Sequence, residues 1–443
     1  KVETAVRIIH KPTGIDVSIF VDPTPPLPPL DGTPVAGASM TEGTTVDPAG
    51  DFYFVLPFND PAQEATFDFA TTLRQADVFF SVDTTGSFGE EIEAIRSTID
   101  TLIVPGVTGV VAGSAFGVGR FEDFPRDPFG LPSDLPFELL APITTDAAML
   151  RAGIDLLPPA AGGLDTPEAG LESLYQWASG GGIPELEIAP FAPGDVGGAG
   201  FRADSLPIIL QITDARSHDP VDYTAAGIRT HGRDDAVTAL NAIGARVIGI
   251  RSLENDGTSD DPMDELVDLA LATRATVPPT GGDCLTGVDG APRPPVTTAG
   301  GDVCPLVFDV RPDGSGLGAI VVDAIGQLAS YGVLDISAVA VGEPTGLRGE
   351  ILPPGTTTAG FIEAITPEPP PPAGATIVGL VFEGVTPGST VTFRVRARNT
   401  FVPHRERAQL FQIFIHVLGD AVTLLDVRNV YVIVPPDVGM IPM

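Results

Sequence analysis

Carboxylate and hydroxyl side chains follow two apolar runs of the sequence, and their types suit the binding of a hard cation. Asp83, Thr85 and Ser87 come directly after the run DVFFSV, and Asp214 comes directly after the run PIILQIT. If these runs are neighbouring parallel strands, their carboxyl ends meet at one sheet edge and bring Asp83 and Asp214 together. Oxygen ligands without Cys or His favour Mg²⁺, Mn²⁺ or Ca²⁺ over zinc. Because hydroxyl ligands leave the charge of the ion only partly neutralised, we expect it to attract an anion.

A structural interpretation of the same loop is also open. Asp, Ser and Thr commonly cap the first turn of a helix, and a helical pattern begins just after Ser87. In that pattern Ile92, Ile95, Ile99 and Leu102 share one face, which predicts a helix packed on the sheet. Asp83 and Ser87 are therefore either metal ligands or helix caps on the sequence alone.

From residue 76 onward, apolar strands alternate with helical patterns, which is typical of βαβ units around a parallel sheet. The expected strands are 77–82, 115–121, 206–213, 246–251 and 306–310. The expected helices, besides the one after Ser87, are 146–156, 169–177, 234–243, 262–273 and 318–331. This order predicts a doubly wound α/β domain over residues 76–331.

Strand-like alternation flanks the α/β region on both sides. It occurs at 5–9, 16–21, 51–56 and 66–70, and again at 333–341, 376–382, 389–397, 408–417 and 427–434. The proline-rich run 23–30 predicts a stiff extended connection in the first part. Residues 1–75 are too short and interrupted to bury a core alone, so we expect them to pair with 332–443 as one all-β sandwich into which the α/β domain is inserted. Three consecutive domains are the simpler alternative.

Composition excludes several classes of function. The chain has 443 residues and a net charge of −34, with lysine only at positions 1 and 11, so a nucleic-acid backbone would be repelled. No apolar run approaches the roughly 20 residues that a membrane span requires. The two cysteines, Cys284 and Cys304, cannot form a tetrahedral zinc site alone, and a disulfide between them in an oxidising compartment is favoured over a reactive thiol.

Several segments resemble one family in the same order along the chain. The Asp83-x-Thr85-x-Ser87 loop resembles the metal loop of von Willebrand factor A domains, and residues 163–170 (GLDTPEAG) resemble a segment of the inserted domain of integrin beta subunits. Residues 116–125 (FGVGRFEDFP) and 213–215 (TDA) are similar to two further segments of that domain, and 320–326 (IVVDAIG) to its last helix. Residues 385–393 (VTPGSTVTF) resemble a strand pair of the integrin hybrid domain, so the resemblance extends from about 66 to 435.

The resemblance implies a metal-ion-dependent adhesion site that holds Mg²⁺ or Mn²⁺. Its ligands by position are Asp83, Thr85, Ser87, Glu168 and Asp214. The ion would bind a carboxylate supplied by an Asp or Glu of a protein partner, next to Asp83, Ser87 and Asp214.

Two flanking Ca²⁺ ions are also implied by the resemblance. Glu90 and Glu91 stand where the family has an acidic pair, although acidic residues also simply favour a helix N-terminus. Asp123, Asp165, the Pro167 carbonyl and Glu168 match ligands of the third ion. The asparagine of that site is replaced by Gly163, a loss for which Glu122 or a water would have to compensate. An ordinary turn is the alternative for Asp123.

The sequence departs from the family at two places. The specificity loop should lie within 127–145, which is short and has no cysteine pair, so we expect a different ligand surface. A cysteine-rich stalk is absent, which predicts a part of a longer protein or a simpler bacterial relative.

Enzyme signatures are not found in the sequence. It contains no G-x-S-x-G elbow, P-loop or G-x-G-x-x-G after a strand. His218 could be a general base beside a metal, but without a nucleophile we interpret it as a loop histidine near the rim of the site. We therefore predict a non-enzymatic, extracellular or cell-surface adhesion module. A structural or self-assembling surface protein with a fold-stabilising metal site, and a metal-dependent hydrolase, are the alternatives.

Overall fold

A computed structural model describes residues 3–11, 14–22 and 52–436. The proline-rich connection expected at 23–30 lies outside these residues. The strands are β1 (Glu3–Lys11), β2 (Gly14–Asp22), β3 (Phe52–Val55), β4 (Gln63–Ala70), β5 (Ala76–Asp83), β6 (Ala115–Phe121), β7 (Glu138–Thr144), β8 (Leu206–Thr213), β9 (Arg246–Ser252), β10 (Thr276–Val277), β11 (Val296–Thr298), β12 (Gly301–Pro305), β13 (Val307–Val310), β14 (Leu334–Gly342), β15 (Ile362–Pro367), β16 (Thr376–Val378), β17 (Val381–Val385), β18 (Thr390–Ala397), β19 (Gln409–Gly419) and β20 (Thr423–Val434).

Helices occur mainly between β5 and β14. They are α1 (Gly89–Thr98), α2 (Val104–Val110), α3 (Ala147–Asp155), α4 (Gly170–Ser179), α5 (Pro220–Ala225), α6 (Arg233–Ala242), α7 (Met263–Ala272) and α8 (Leu317–Tyr331). Among the described residues, none of these helices has the length and apolar character needed to cross a bilayer.

The α/β region is built on a six-stranded sheet in the order β13-β9-β8-β5-β6-β7. All neighbouring strands are parallel except β6 and β7, which are antiparallel. The five parallel strands match the expected ones, and β5 and β8 at the centre are buried along their whole length because helices cover both faces of the sheet. The chain moves outward in one direction from β5 to β6 and in the other from β8 to β9. A crevice therefore opens between β5 and β8, at the carboxyl ends of the strands.

Edge strand β7 was not predicted from the sequence. It lies within the segment expected to be the specificity loop, and it pairs with β6 through two register shifts. Its residues are mostly half-buried, so the clean alternation of a strand with one buried face is absent. A strand without that alternation cannot be recognised from its residue pattern.

The first helix deviates from the expected one in its second half. A five-residue π-helical segment, Ile99–Ile103, connects α1 to α2. Ile92, Ile95 and Ile99 are buried as expected, but Leu102 is 41% exposed and Ile103 is buried in its place. The wider π turn rotates the following residues about the helix axis, so the prediction of Leu102 on the buried face is wrong.

Two further sheets contain strands from both sides of the α/β region. The six-stranded sheet has the order β16-β17-β14-β19-β20-β3, and the three-stranded sheet has the order β15-β18-β4. Strand β3 pairs with β20 and β4 pairs with β18, so segments more than 300 residues apart are hydrogen-bonded. Phe52, Phe67 and Phe393 form a stack that joins the sheets, with ring centroids 6.1 and 5.5 Å apart. The exact domain limits, 1–75, 76–331 and 332–443, stay a prediction.

The two cysteines are bonded to each other. Cys304 lies on β12 of a small sheet with the order β10-β12-β11, and Cys284 pairs with Arg293 in an adjacent bridge. Both sulfur-bearing side chains are buried against the core of the α/β sheet. The disulfide thus attaches the loop of 278–303 to that core.

A buried charge network connects the α/β region to the β region. Arg246 at the start of β9 forms an ion pair with Asp420, which lies in the turn between β19 and β20. Arg274 contacts the same carboxylate at 2.6 Å and Asp335 at 2.8 Å. Arg246 is only 3% exposed, so its charge has little access to water and depends on Asp420.

We predict that Asp420→Asn lowers the free energy of unfolding by about 3 kcal/mol, because it leaves the buried Arg246 charge without its counter-ion. Asn tolerates the positive φ of Asp420 (50°), so backbone strain is not introduced. Asp289→Asn is the matched control, since Asp289 also has positive φ (54°) and pairs with an arginine, but on the surface. Urea denaturation should shift for the first variant only, and equal midpoints would contradict a role for the network.

Candidate metal centre

Asp83 ends β5 and lies at the centre of the predicted site. Its side chain is fully buried. Oδ1 accepts hydrogen bonds from the backbone N–H of Thr85 (2.9 Å) and from the Thr85 hydroxyl (2.7 Å). Oδ2 accepts from the hydroxyl of Thr213 on the neighbouring strand (2.7 Å). These bonds fix the carboxylate at the sheet edge.

The capping interpretation of the loop does not describe the structure. Helix α1 begins at Gly89 with Phe88 as its N-cap residue, and no side chain caps it. The Asp83 carboxylate bonds within its own loop and to Thr213 instead. The hydrogen bonds of Asp83 therefore orient its own carboxylate at the sheet edge and do not cap helix α1.

Asp214 lies beside Asp83, as the two-strand argument predicts. It is fully buried, and its charge contributes, after burial, to raising the pKa of Asp83 to about 7. Burial also raises the pKa of Asp214, which a hydrogen bond from Ser87 partly offsets. Its Oδ1 has no hydrogen-bond partner among the described residues. Ser87 is exposed, so the loop places one hydroxyl at the surface directly above a buried carboxylate.

Glu168 is brought to this edge by the segment that precedes α4. Its backbone N–H donates to Arg216 O (3.0 Å) and its carbonyl accepts from the His218 N–H (3.0 Å), so it runs alongside the loop after β8. The side chain is 3% exposed and Oε2 lacks a hydrogen-bond partner within the described chain. Burial, and then the charges of Asp83, Asp123, Asp165 and Asp214, raise the pKa of Glu168 to about 12. Glu168 therefore lies within electrostatic reach of both groups of carboxylates.

The residues expected at the third ion are also brought together. Asp123 is fully buried; its Oδ1 accepts from the Tyr223 hydroxyl (2.6 Å), and its Oδ2 has no hydrogen-bond partner in the described residues. Burial raises the pKa of Asp123 to about 8. Asp165 and Pro167 line one cleft of about 720 Å³ together with His218. The backbone N–H of Gly163, which stands in place of the asparagine, donates to Asp134 (3.0 Å).

Glu122 does not replace the missing ligand. Its carboxylate pairs with Arg120 at 2.6 Å, accepts from Thr84 at 3.2 Å and accepts from the Leu135 N–H at 3.1 Å. Both carboxylate oxygens of Glu122 are thus paired within the protein, so the structure does not support the suggestion that Glu122 compensates.

The two acidic residues at the start of α1 differ in exposure. Glu91 is buried, accepts from the hydroxyl of Ser252 at the end of β9, and has its pKa raised to about 7 by burial. Glu90 is exposed and lines a groove with the start of α8. Only Glu91 therefore faces the sheet edge where Asp214 lies, and its Oε2 is unpaired in the described structure.

Two positioning residues and one candidate ligand were missed by the sequence analysis. Thr213 and Tyr223 orient the carboxylates of Asp83 and Asp123, and His218 was assigned only to the rim. In the structure the ligand atoms of Asp123, Asp165 and His218 all lie within 4.8 Å of one another. Thr213 carried a signal, because it directly precedes Asp214, whereas nothing near Tyr223 pointed to Asp123.

Several buried carboxylates lie at this edge of the sheet, and the described residues near them supply no matching positive charge. Among the residues that the structure describes, neither Lys nor Arg forms an ion pair with Asp83, Glu168 or Asp214. Unpaired oxygens of Glu168, Asp214 and Asp123 lie in this region. Buried carboxylates that lack a counter-charge and a hydrogen bond are costly, and a divalent cation satisfies both needs.

Comparisons with known proteins were made by sequence and by structure. The sequence matches no protein-family model and no curated protein. A von Willebrand factor type A protein from Catenulispora acidiphila is similar with a TM-score of 0.36 and 12% identity, over 86% of this chain and 72% of that one. Two structures of the pilus adhesin SpaC from Lactobacillus rhamnosus GG, the first in an open conformation, have TM-scores of 0.34 and 0.35 and 10% identity. They cover 86% and 97% of this chain, which spans 44% and 47% of theirs.

We predict that the metal-free protein loses stability as the pH rises from about 4 to about 8. The folded-state pKa values of Asp83 and Glu91 (about 7) and Asp123 (about 8) lie above their unfolded values, so folding favours the protonated carboxyls. That stabilisation is complete below the unfolded pKa values near 4 and is lost as the pH passes through the folded ones. Urea midpoints in EDTA should fall between pH 5 and pH 8, and Mg²⁺ should raise the midpoint more at pH 8. A midpoint independent of pH, with or without Mg²⁺, would contradict this.

Proposed function

We propose that the chain is an adhesion module that binds an acidic side chain of a protein partner through a divalent cation. The residues that would hold the ion are Asp83, Thr85, Ser87, Glu168 and Asp214. The observation that carries the proposal is the pair of unpaired, buried oxygens on Glu168 and Asp214, next to Asp83 and beneath the exposed Ser87. The resemblance of these segments to integrin beta subunits supports the same assignment.

The chemistry of the residues fits Mg²⁺ or Mn²⁺. All five proposed ligands offer oxygen, and hard divalent cations prefer carboxylate, hydroxyl and water oxygens. When bound, such an ion supplies positive charge and a coordination position for a carboxylate from outside. We extend this to a second, Ca²⁺ ion near Glu91, where an unpaired carboxylate oxygen faces the same edge.

The protein residues would orient the ion and exclude competing water. Thr85 and Thr213 hold both oxygens of Asp83, so its carboxylate needs no rearrangement when the ion binds. Asp83, Thr85, Glu168 and Asp214 are buried, whereas Ser87 is exposed, so a partner would approach from the side of Ser87. Preorganised ligands of this kind reduce the entropy lost on binding.

The surroundings of the site support a protein partner at the cell surface or outside the cell. A net charge of −34 would repel nucleic acid, and the Cys284–Cys304 disulfide is suited to an oxidising compartment. We propose a binding function in preference to hydrolysis, because within the described part of the chain the hydroxyls beside Asp83, those of Thr85 and Thr213, donate to its carboxylate and neither is paired with a histidine base. A bacterial source and integrin-like ligand recognition belong to the same proposal.

The rival function is a structural surface protein in which the ion only stabilises the fold. The burial of Asp83, Asp123 and Asp214 favours it, since an ion would stabilise these groups whether or not a partner binds. The two functions differ in one respect: only the adhesion module has an affinity for carboxylates that depends on the ion.

We predict that Ser87→Ala and Asp83→Ala each weaken binding to acidic peptides. The measurement is an array of peptides that each contain one Asp, paired with the same peptides containing Asn, probed with the labelled protein in Mg²⁺ and in EDTA. Wild-type protein should bind a subset of the Asp peptides in Mg²⁺ only. Loss of one ligand should weaken the binding by at least about 10-fold, because metal sites lose that much even from changes outside the ligand set.

Ser97→Ala is the matched control, since Ser97 is an exposed serine on α1, the helix that follows the Ser87 loop, and its hydroxyl donates to the Ala94 carbonyl. It should bind as the wild type does. Binding that persists in EDTA, or that does not distinguish Asp from Asn peptides, would contradict the adhesion function. Metal-dependent melting temperatures without any carboxylate binding would favour the structural function.

A further inference from the structure

His218 extends the third-ion group into a cluster of mixed chemistry. The side chain lies in the segment between β8 and α5, only 7% exposed. Its Nε2 is 3.2 Å from Oδ2 of Asp165 and 3.5 Å from Oδ2 of Asp123. Within the described residues Nε2 makes no hydrogen bond of acceptable geometry, and Oδ2 of Asp123 and Oδ1 of Asp165 make none either. Nε2 of His218 and Oδ2 of Asp123, both buried, therefore face each other without a hydrogen bond, beside the half-buried carboxylate of Asp165.

The second polar atom of His218 and that of Asp123, which point away from the cluster, contact other residues. Nδ1 of His218 lies 3.4 Å from a carboxylate oxygen of Asp222, so Nδ1–H can donate to Asp222 when the lone pair of Nε2 binds an ion. Oδ1 of Asp123 accepts from Tyr223, which leaves Oδ2 facing His218. A carboxylate behind an imidazole and a hydrogen bond behind a ligand carboxylate are the usual outer contacts of a metal site.

Aromatic rings fix the orientation of the imidazole. Phe129 and Tyr223 each place a ring centroid 5.0 Å from that of His218, with interplanar angles of 84° and 63°. A buried ring packed in this way has little freedom to rotate toward solvent. Its unpaired nitrogen consequently stays directed at Asp123 and Asp165.

We propose that Asp123, Asp165 and His218 bind a transition metal of the zinc class, in place of the Ca²⁺ that the resemblance implies. Ca²⁺ takes six to eight oxygen ligands, whereas an imidazole nitrogen with carboxylates suits Zn²⁺ and its neighbours in the first row. Three protein ligands leave a position open toward the cleft that Asp165 and His218 line with Arg216. The three residues are not among the proposed ligands of the oxygen-only site at Asp83, so the metal would be bound whether or not the proposed adhesion occurs.

Zinc calorimetry on the full chain tests the proposal. The protein is first stripped with EDTA and then titrated with Zn²⁺ in millimolar Mg²⁺, which keeps the oxygen-only site supplied with a hard ion. Wild-type protein should bind one Zn²⁺ tightly, and His218→Ala should weaken that binding by more than about 100-fold, beyond what a change in an outer contact causes. Asp222→Asn should weaken it by about 10-fold.

His231→Gln is the matched control, because His231 is also partly buried and paired with a carboxylate, Glu172, while it stacks on Tyr175. It should bind Zn²⁺ like the wild type. Equal Zn²⁺ affinity in His218→Ala and wild type would overturn the proposal. Stoichiometric displacement of Zn²⁺ by millimolar Ca²⁺, or no tight Zn²⁺ binding by the wild type, would also overturn it.

X-ray absorption at the zinc edge makes the test independent of any variant. The wild-type protein loaded with one Zn²⁺ should show one imidazole nitrogen at about 2.0 Å among oxygen ligands. A spectrum without imidazole scattering would overturn the proposal even if His218→Ala fails to fold.

Discussion

The repulsion among buried carboxylates at one edge of the central sheet is the constraint on which the structure depends. Asp83, Asp123, Asp214 and Glu168 are each at most 3% exposed and lie close enough to shift one another's pKa values. At neutral pH such a group either binds protons that it would lose in water or acquires a counter-charge. That repulsion accounts for the other features of the site, which are its hydroxyl donors, its unpaired oxygens and its histidine.

The fold places these carboxylates close together, because the strands that carry or precede them end at one edge of the sheet. Parallel strands β5, β6 and β8 end at the same edge, and β5 and β8 lie next to each other on the two sides of the crevice. The hydrophobic cores of the α/β region and of the β region stabilise the fold and offset the cost of burying these charges. Thr85, Thr213 and Tyr223 orient individual oxygens but bring no positive charge. A cation is the remaining way to neutralise the edge without protonating it.

Two kinds of ligand set lie side by side at this edge, and Glu168 is close to both. The set around Asp83 contains only oxygen, whereas the set around Asp123 includes an imidazole nitrogen. Since ligand type governs which ion binds, the two sets are expected to hold different metals in the same solution. The charge of Glu168 would then couple the two, because an ion at either set lowers the cost of ionising it.

The sequence predicted the parts of the molecule that depend on short-range pattern. The five parallel strands, and the meeting of Asp83 and Asp214 that follows from them, could be deduced because apolar runs and strand order determine which residues share an edge. Leu102 could not be placed correctly, because a π turn changes the helical phase without any signal in residue type. The contact of His218 with Asp123 depends on how two loops fold over the sheet edge, which no local pattern specifies. Edge strand β7 was missed because its side chains do not alternate between buried and exposed.

Anomalous diffraction from a crystal soaked in Mn²⁺ would locate an ion at the sheet edge rather than infer it from stability. We expect an anomalous peak within bonding distance of Ser87, Asp83 and Asp214. If the crystal shows no peak there while those carboxylates are ordered, the interpretation of the sheet edge as a cation site is contradicted.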